Sequence, residues 1–252
     1  MVESQARGDT LTTALIAVAA ACIVTFAHEA IGHGTACLIL DGRITLVTSV
    51  LFACTVKTGA VAAGGPIGDL VGAALAWLVL QFVPRANLRL ALLLLLVTGF
   101  GVFWEAGYLF KAMSFADGDS YFAALGAFGK PDWWWRIGGF ATGVLLYGIG
   151  IRATATSARR FCFSPDVFRT CWLAATLSAV LAAAFYSPAR LFAMGQAALE
   201  IGAASWPLLL MSRQLPLQQL TGAAPIARNV GWIAGAGLFY ILFVATLGRG
   251  MP

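Results

Sequence analysis

The longest apolar run of the chain, residues 11–40, constrains its fold most, because thirty residues exceed the ~20 that a helix needs to cross a bilayer. Its only acidic or basic side chains are His28, Glu29 and His33. Of the 252 residues, 60% are hydrophobic and 11% are charged, against roughly 45–50% and about 25% in soluble domains. So little charge cannot cover a water-soluble globule. The composition excludes a soluble enzyme, a disordered chain and a disulfide scaffold, and it predicts an integral membrane protein.

Apolar stretches recur along the rest of the chain. Beyond the first span we expect spans over residues 66–84, 90–113, 133–151, 171–186, 191–211 and 230–247. Residues 43–65 are rich in β-branched residues and glycine, which favours a hairpin over a helix, and Pro66 is typical of a helix start. The predicted fold is an all-α polytopic membrane protein of six to seven transmembrane helices, with a short re-entrant β-hairpin after the first.

The basic residues are scattered between the apolar runs, and the net charge is +5. No basic block or aromatic-interleaved patch is present, so we expect no nucleic-acid partner. With a cytoplasmic N-terminus, nine lysines and arginines face the cytoplasm and seven face the other side, which favours that orientation. The nine are Arg7, Arg85, Arg89, Arg152, Arg159, Arg160, Arg169, Arg213 and Arg228.

The five cysteines show no CxxC pair and an odd count. Several lie in or beside apolar stretches, where cysteine behaves as a small hydrophobic side chain. The sequence therefore predicts buried thiols. The five are Cys22, Cys37, Cys54, Cys162 and Cys171.

The first span contains the chain's only two histidines, which flank a glutamate in the segment HEAIGH. Ionisable groups at membrane depth are costly and mark functional sites. In the zinc-binding pattern HExxH, two histidines at i and i+4 share a helix face and the glutamate is the general base. Here the spacing is i+5, which turns His33 about 140° from His28 on a regular helix. A π-helical turn restores the alignment, and Gly32 lowers its steric cost. We therefore predict a π-bulge or break between the histidines, a zinc ion bound by both, and Glu29 as general base. The alternative is a set of hydrogen-bonded polar groups inside a helix bundle.

Three features, in this order, resemble the site-2 protease family of intramembrane zinc metalloproteases. The histidine motif lies on an early helix, a short β segment and the stretch Gly64-Gly65-Pro66-Ile67-Gly68-Asp69 follow, and Phe115-Ala116-Asp117-Gly118-Asp119 follows a later span. Where the family typically has GPxxN, this chain has aspartate, Asp69, in place of the asparagine. In the family, the third zinc ligand lies in an Asp-Gly element. The resemblance covers residues 15–125 and implies a catalytic core at 1–125, with additional transmembrane helices at 126–252 in one membrane domain.

A catalytic zinc takes three protein ligands and leaves one position for water. The resemblance places the third ligand in the element 115–119, where Asp119 and Asp117 are the candidates; we prefer Asp119, because a ligand at the start of the helix that follows is well fixed, and keep Asp117 as the alternative. It also assigns Gly65, Pro66 and Asp69 to the substrate-binding or supporting part of the site. Glu105 and Glu200 are further carboxylates within apolar stretches, and either would orient a histidine or pair with an arginine.

The expected function is that of an intramembrane zinc metalloprotease, which hydrolyses a peptide bond in or near a transmembrane segment of a membrane protein substrate. One alternative is a zinc-dependent membrane hydrolase of a lipid or a small amide. The other is a transporter in which the His/Glu cluster relays protons or metal ions. The expected location is the lipid bilayer of a bacterial inner membrane, and the sequence leaves the oligomeric state open.

Overall fold

The computed structural model describes residues 8–211 and 225–251, so Arg7 and Arg213 of the charge count lie outside the described residues. Apart from connecting turns, the described residues are helical except for one short hairpin. Its elements are α1 (Thr10–Ile39), β1 (Ile44–Val47), β2 (Phe52–Cys54), α2 (Gly59–Phe82), α3 (Leu88–Phe115), α4 (Asp119–Phe128), α5 (Trp133–Arg160), α6 (Pro165–Ala183), α7 (Arg190–Ala197) and α8 (Val230–Phe243).

Six helices in the described part of the chain are long and apolar enough to cross a membrane. They are α1, α2, α3, α5, α6 and α8, the last continuing as a π turn to Gly248. The polytopic all-α fold with a hairpin after the first helix is therefore confirmed. Asparagine and aspartate caps begin several of them: the Thr12 N–H donates to Asp9 and the Trp232 N–H to Asn229.

The second helix begins earlier than the sequence predicted. The Val61 N–H donates to the Thr58 hydroxyl, and this cap starts α2 at Gly59. The prediction that Pro66 opens the helix is wrong, because it lies seven residues inside α2. The hairpin is correspondingly shorter than 43–65, and Ile44 pairs with Cys54 at its open end.

The predicted span over residues 191–211 is not one regular helix. It consists of α7, a π turn at Ala198–Ala203 and a 3₁₀ turn at Trp206–Leu210. Pro207 lies in the 3₁₀ turn, where its missing N–H is tolerated. Ala193 and Ala197 near its start cluster with Val50 beside the hairpin, and Leu208 and Met211 at its other end belong to the large core cluster that includes Ile226. It therefore runs through the bundle as an interrupted segment and is not one of the six spanning helices.

Helix α3 lies at the centre of the bundle and is the most buried of the six spanning helices. Most of its side chains are apolar and lie on all sides of the helix, as expected for a helix without a lipid-exposed face. Its large side chains Phe100, Phe103 and Trp104 form one core cluster with residues of α1, α5 and α6. Described residues from both halves of the chain thus contribute to this cluster.

Backbone hydrogen bonds fix which chain ends lie together. The Asp9 N–H donates to the Ile226 carbonyl at 2.7 Å, so α1 and α8 start at the same end of the bundle. At the opposite end, Val47 and Met251 exchange two backbone hydrogen bonds of 2.8 and 2.9 Å. The hairpin and the last described residues therefore lie at the end where α1 finishes.

The structure corrects the prediction that the cysteines are all buried thiols. Cys37 at the end of α1 and Cys54 in β2 form a disulfide, so these two are not free buried thiols. Cys22 and Cys171 are buried and free as predicted, whereas Cys162 is free and exposed. The pairing escaped the sequence analysis because the hairpin, which brings β2 back to α1, joins residues 17 positions apart.

Candidate metal centre

The histidine motif lies in a π-helical turn, Ala27–His33, inside α1. The extra residue per turn brings the two rings to one side, with centroids 4.9 Å apart and planes at 78°. The predicted π-bulge is therefore confirmed. Both rings are buried.

Glycines allow the π turn to lie directly against α2. A Cβ atom on Gly32 would be 2.4 Å from the Gly64 carbonyl oxygen, and one on Gly64 would be 2.5 Å from the Gly32 oxygen. A Cβ on Gly68 would be 2.6 Å from the oxygen of Ala27. The backbones touch over this stretch, which is the small-residue packing expected between membrane helices.

Asp119, the first residue of α4, reaches both histidines from the opposite side. Its Oδ2 atom lies 3.4 Å from His33 Nε2 and 3.7 Å from His28 Nε2. Tetrahedral zinc with bonds of about 2.1 Å separates its ligand atoms by about 3.4 Å, so Asp119 lies at the distance from both histidines that a zinc site requires. Asp117, the alternative ligand, is exposed and does not belong to the cluster that His28, His33 and Asp119 form among the described residues.

Gly65 faces the point on which the histidines converge. A Cβ atom there would lie 2.4 Å from Nε2 of both His28 and His33. Only a residue without a side chain leaves this position open for an ion. Pro66 follows it in α2 and is partly buried.

The other nitrogen of each ring has a fixed partner. His28 Nδ1 lies 2.8 Å from Asp69 Oδ2, and His33 Nδ1 lies 2.7 Å from the Val61 carbonyl oxygen. A carboxylate and a carbonyl only accept, so both Nδ1 atoms carry the proton. The Nε2 lone pairs then face Asp119, as metal ligands require.

Aromatic stacking holds the two rings in place. His28 stacks on Trp104 at 4.6 Å between centroids, and His33 stacks on Phe52 of β2 at 5.2 Å. The Tyr108 hydroxyl donates to Asp119 Oδ2 at 3.3 Å. Sequence analysis missed these supporting residues, since an aromatic residue in a membrane helix gives no sign of its neighbours.

Negative charge accumulates around the histidines without basic residues to balance it. Glu29, Asp69, Glu105 and Glu200 are all buried, and each has one carboxylate oxygen without a hydrogen-bond partner among the described residues. None of the four forms an ion pair with lysine or arginine within residues 8–211 and 225–251. Buried charge is costly unless it is paired or coordinates a metal. A divalent cation therefore fits this donor set.

Asp119 is a carboxylate at neutral pH, since the ordinary pKa of an aspartate is about 3.9. Glu105 lies on the other side of His28, with Oε1 3.5 Å from Nδ1.

A cavity of about 690 Å³ opens onto these groups. His28, Glu29, His33 and Asp119 line it, together with β2, the start of α2 and Glu200. Glu200 is a carboxylate that the sequence singled out without placing it here, because the broken segment that carries it gives no regular periodicity.

The structure thus brings together His28, His33, Asp119 and Gly65, adds Asp69 and Glu105 behind His28, and leaves Asp117 outside. The metal itself stays a prediction, supported by spacing, tautomers and charge. Comparison with known proteins returned no match: no family model, no curated protein and no solved structure matches this chain.

Proposed function

We propose that this chain is a membrane-embedded zinc metallopeptidase, which cleaves a peptide bond in or near a transmembrane segment of another membrane protein. The observation that carries the proposal is the convergence of His28 Nε2, His33 Nε2 and Asp119 Oδ2 within 4.8 Å of one another, beside Glu29 in an open cavity. The resemblance of residues 15–125 to site-2 proteases points to the same chemistry.

In this proposal His28, His33 and Asp119 would hold the zinc ion, which would supply Lewis acidity and lower the pKa of a water molecule towards ~7. Glu29 accepts a proton from that water and delivers it to the leaving amine. Its burial in the cavity wall and its unpartnered Oε2 leave it available for this transfer. Asp69 and the Val61 carbonyl keep the histidine rings oriented.

An extended peptide fits the shape of the site. β2 is an edge strand of the two-stranded sheet in the described part of the chain, and residues 51–54 line the cavity. Proteins recognise extended peptides by pairing them with such an edge. Apolar side chains of the cavity wall, Val56, Val61, Phe122 and Leu125, suit a hydrophobic substrate.

We infer further that the N-terminus faces the cytoplasm and the hairpin the opposite side. The arginine-rich end of the bundle contains Arg159 and Arg160, with Arg160 donating to carbonyl groups at the end of α2, and cytoplasmic ends are enriched in basic residues. The Cys37–Cys54 disulfide lies at the other end, and disulfides persist in oxidising compartments.

The test uses protein purified in detergent without chelator. Metal content is measured by elemental analysis, and cleavage by mass spectrometry of transmembrane peptides reconstituted with the protein. We expect one zinc per chain in the wild type, its loss in His28→Ala, and its retention in Glu29→Gln with cleavage reduced ~10²–10⁴-fold. Asp166→Asn, an exposed carboxylate in the first turn of α6, is the control and keeps both.

Each alternative has its own outcome in this test. Zinc with hydrolysis of lipids or small amides, but not of peptides, would replace the peptidase by a different hydrolase. Transport of ions by protein reconstituted in vesicles, without zinc retained after purification, would favour the relay. Wild-type protein without any metal would overturn the proposal.

A further inference from the structure

Glu200 is a second acidic side chain in the wall of the cavity that contains Glu29. It lies in the π turn Ala198–Ala203 and is 6% exposed. Its Oε2 atom has no hydrogen-bond partner among the described residues. π turns occur frequently at functional sites, and the catalytic motif lies on another one.

No basic side chain neutralises Glu200 in the described part of the chain. The Lys111 ammonium donates to Gln196 at 2.8 Å and forms no ion pair with Glu200. Glu29 and Glu200 line the same cavity. The two carboxylates therefore repel one another across the cavity.

A second, smaller cavity also borders the Glu200 side chain. It has about 10 Å³, the space of one water molecule, and Ser49, Trp104 and Glu200 line it. The Ser49 hydroxyl and the Trp104 indole N–H are also buried without a partner among the described residues. One water molecule bonded to these groups would anchor Glu200 while its carboxylate also borders the large cavity.

A divalent cation bound at the two histidines does not neutralise the negative charge of Glu200. Two neutral imidazoles, Asp119 and Glu29 together carry two negative charges, which one divalent ion neutralises. Asp69 and Glu105 add further negative charge behind His28, but of the remaining carboxylates Glu200 is the one that lines the large cavity. A buried carboxylate beyond these calls for a further cation, and the cavity is the side from which a ligand can supply it.

We propose that Glu200 is a specificity-determining residue, which binds a primary ammonium group of the substrate next to the scissile bond. The ammonium belongs either to the α-amino terminus of a peptide or to a lysine side chain. This inference rests on the proposed peptidase function, which it deepens by naming the substrate class.

The activity test compares matched peptides in the wild type and in Glu200→Gln. One pair differs by lysine against norleucine beside the cleaved bond, and the other by a free against an acetylated N-terminus. A charge-assisted hydrogen bond is worth roughly 1.5–3 kcal/mol, so we expect Glu200→Gln to lower kcat/KM for the ammonium substrate about 10- to 100-fold. The neutral partner should change little, and Glu200→Asp should restore part of the preference. The pair that responds identifies the source of the ammonium.

A binding test does not depend on turnover. Saturation-transfer NMR measures the binding of two small ligands, n-butylammonium and n-butanol. Each is tested with the Glu29→Gln protein and with the double variant that also has Glu200→Gln. We expect displaceable binding of the amine only where Glu200 is present, and equal weak binding of the alcohol to both. If the wild type cleaves no peptide but the amine still binds through Glu200, the peptidase proposal fails and the ammonium site stands. Equal selectivity of wild type and Glu200→Gln in both tests would show that Glu200 does not bind the ammonium group, and would overturn the inference.

Discussion

The substitution Gly65→Ala tests the metal centre without removing any ligand. The added Cβ would lie 2.4 Å from Nε2 of both histidines, against 3.4–4 Å for ordinary van der Waals contact. The rings or the helix must therefore move by about 1 Å, whereas metal–ligand distances tolerate about 0.2 Å.

The histidines have little freedom to move away from the new methyl group. His28 is held between Asp69 and Trp104, and His33 between the Val61 carbonyl and Phe52. Changes in groups that merely support a metal ligand cost about 10- to 100-fold in affinity. We therefore expect zinc affinity to fall by at least about 100-fold.

Elemental analysis of purified protein and competition with a chelator measure this loss. Gly72→Ala on the same helix is the matched control, because its Cβ would meet only the Ala27 Cβ at 3.8 Å. It should keep the metal and gain about 0.5–1 kcal/mol of helix stability. Zinc bound by Gly65→Ala as tightly as by the wild type would refute a site between the two Nε2 atoms.

Three further predictions follow from the same contacts. Gly32→Ala should destabilise the fold by about 1–3 kcal/mol, seen in thermal unfolding, because its methyl group would press on the α2 backbone; unchanged stability would contradict the close helix contact. Asp69→Ala should weaken zinc binding about 10- to 100-fold, while Asp69→Asn, which still accepts from His28, should keep most of it; equal affinities in a chelator titration would exclude the orienting role. A membrane-impermeant maleimide should label exposed Cys162 only after cells are permeabilised. The variant Lys130→Cys, made in a Cys162→Ser background, should instead react in intact cells. The opposite labelling pattern would reverse the proposed orientation.

The membrane class, the positions of most spans and the π turn followed from local sequence. Apolar runs of bilayer length have one stable environment, and the spacing of His28 and His33 allows both rings to face one ion only if the helix gains a residue in that turn. These properties depend on residues close together in the chain, so periodicity and composition suffice to predict them.

Tertiary packing decided the rest of the site. Asp117 and Asp119 are two residues apart and chemically identical, and only the direction in which α4 leaves α3 brings Asp119 to the histidines. The Cys37–Cys54 pairing likewise depends on the hairpin returning to α1. Glu200 reaches the cavity through an interrupted segment whose packing, not its periodicity, fixes the direction of the side chain. Contacts between residues distant in sequence are set by how whole helices pack, and no local pattern of residues encodes that.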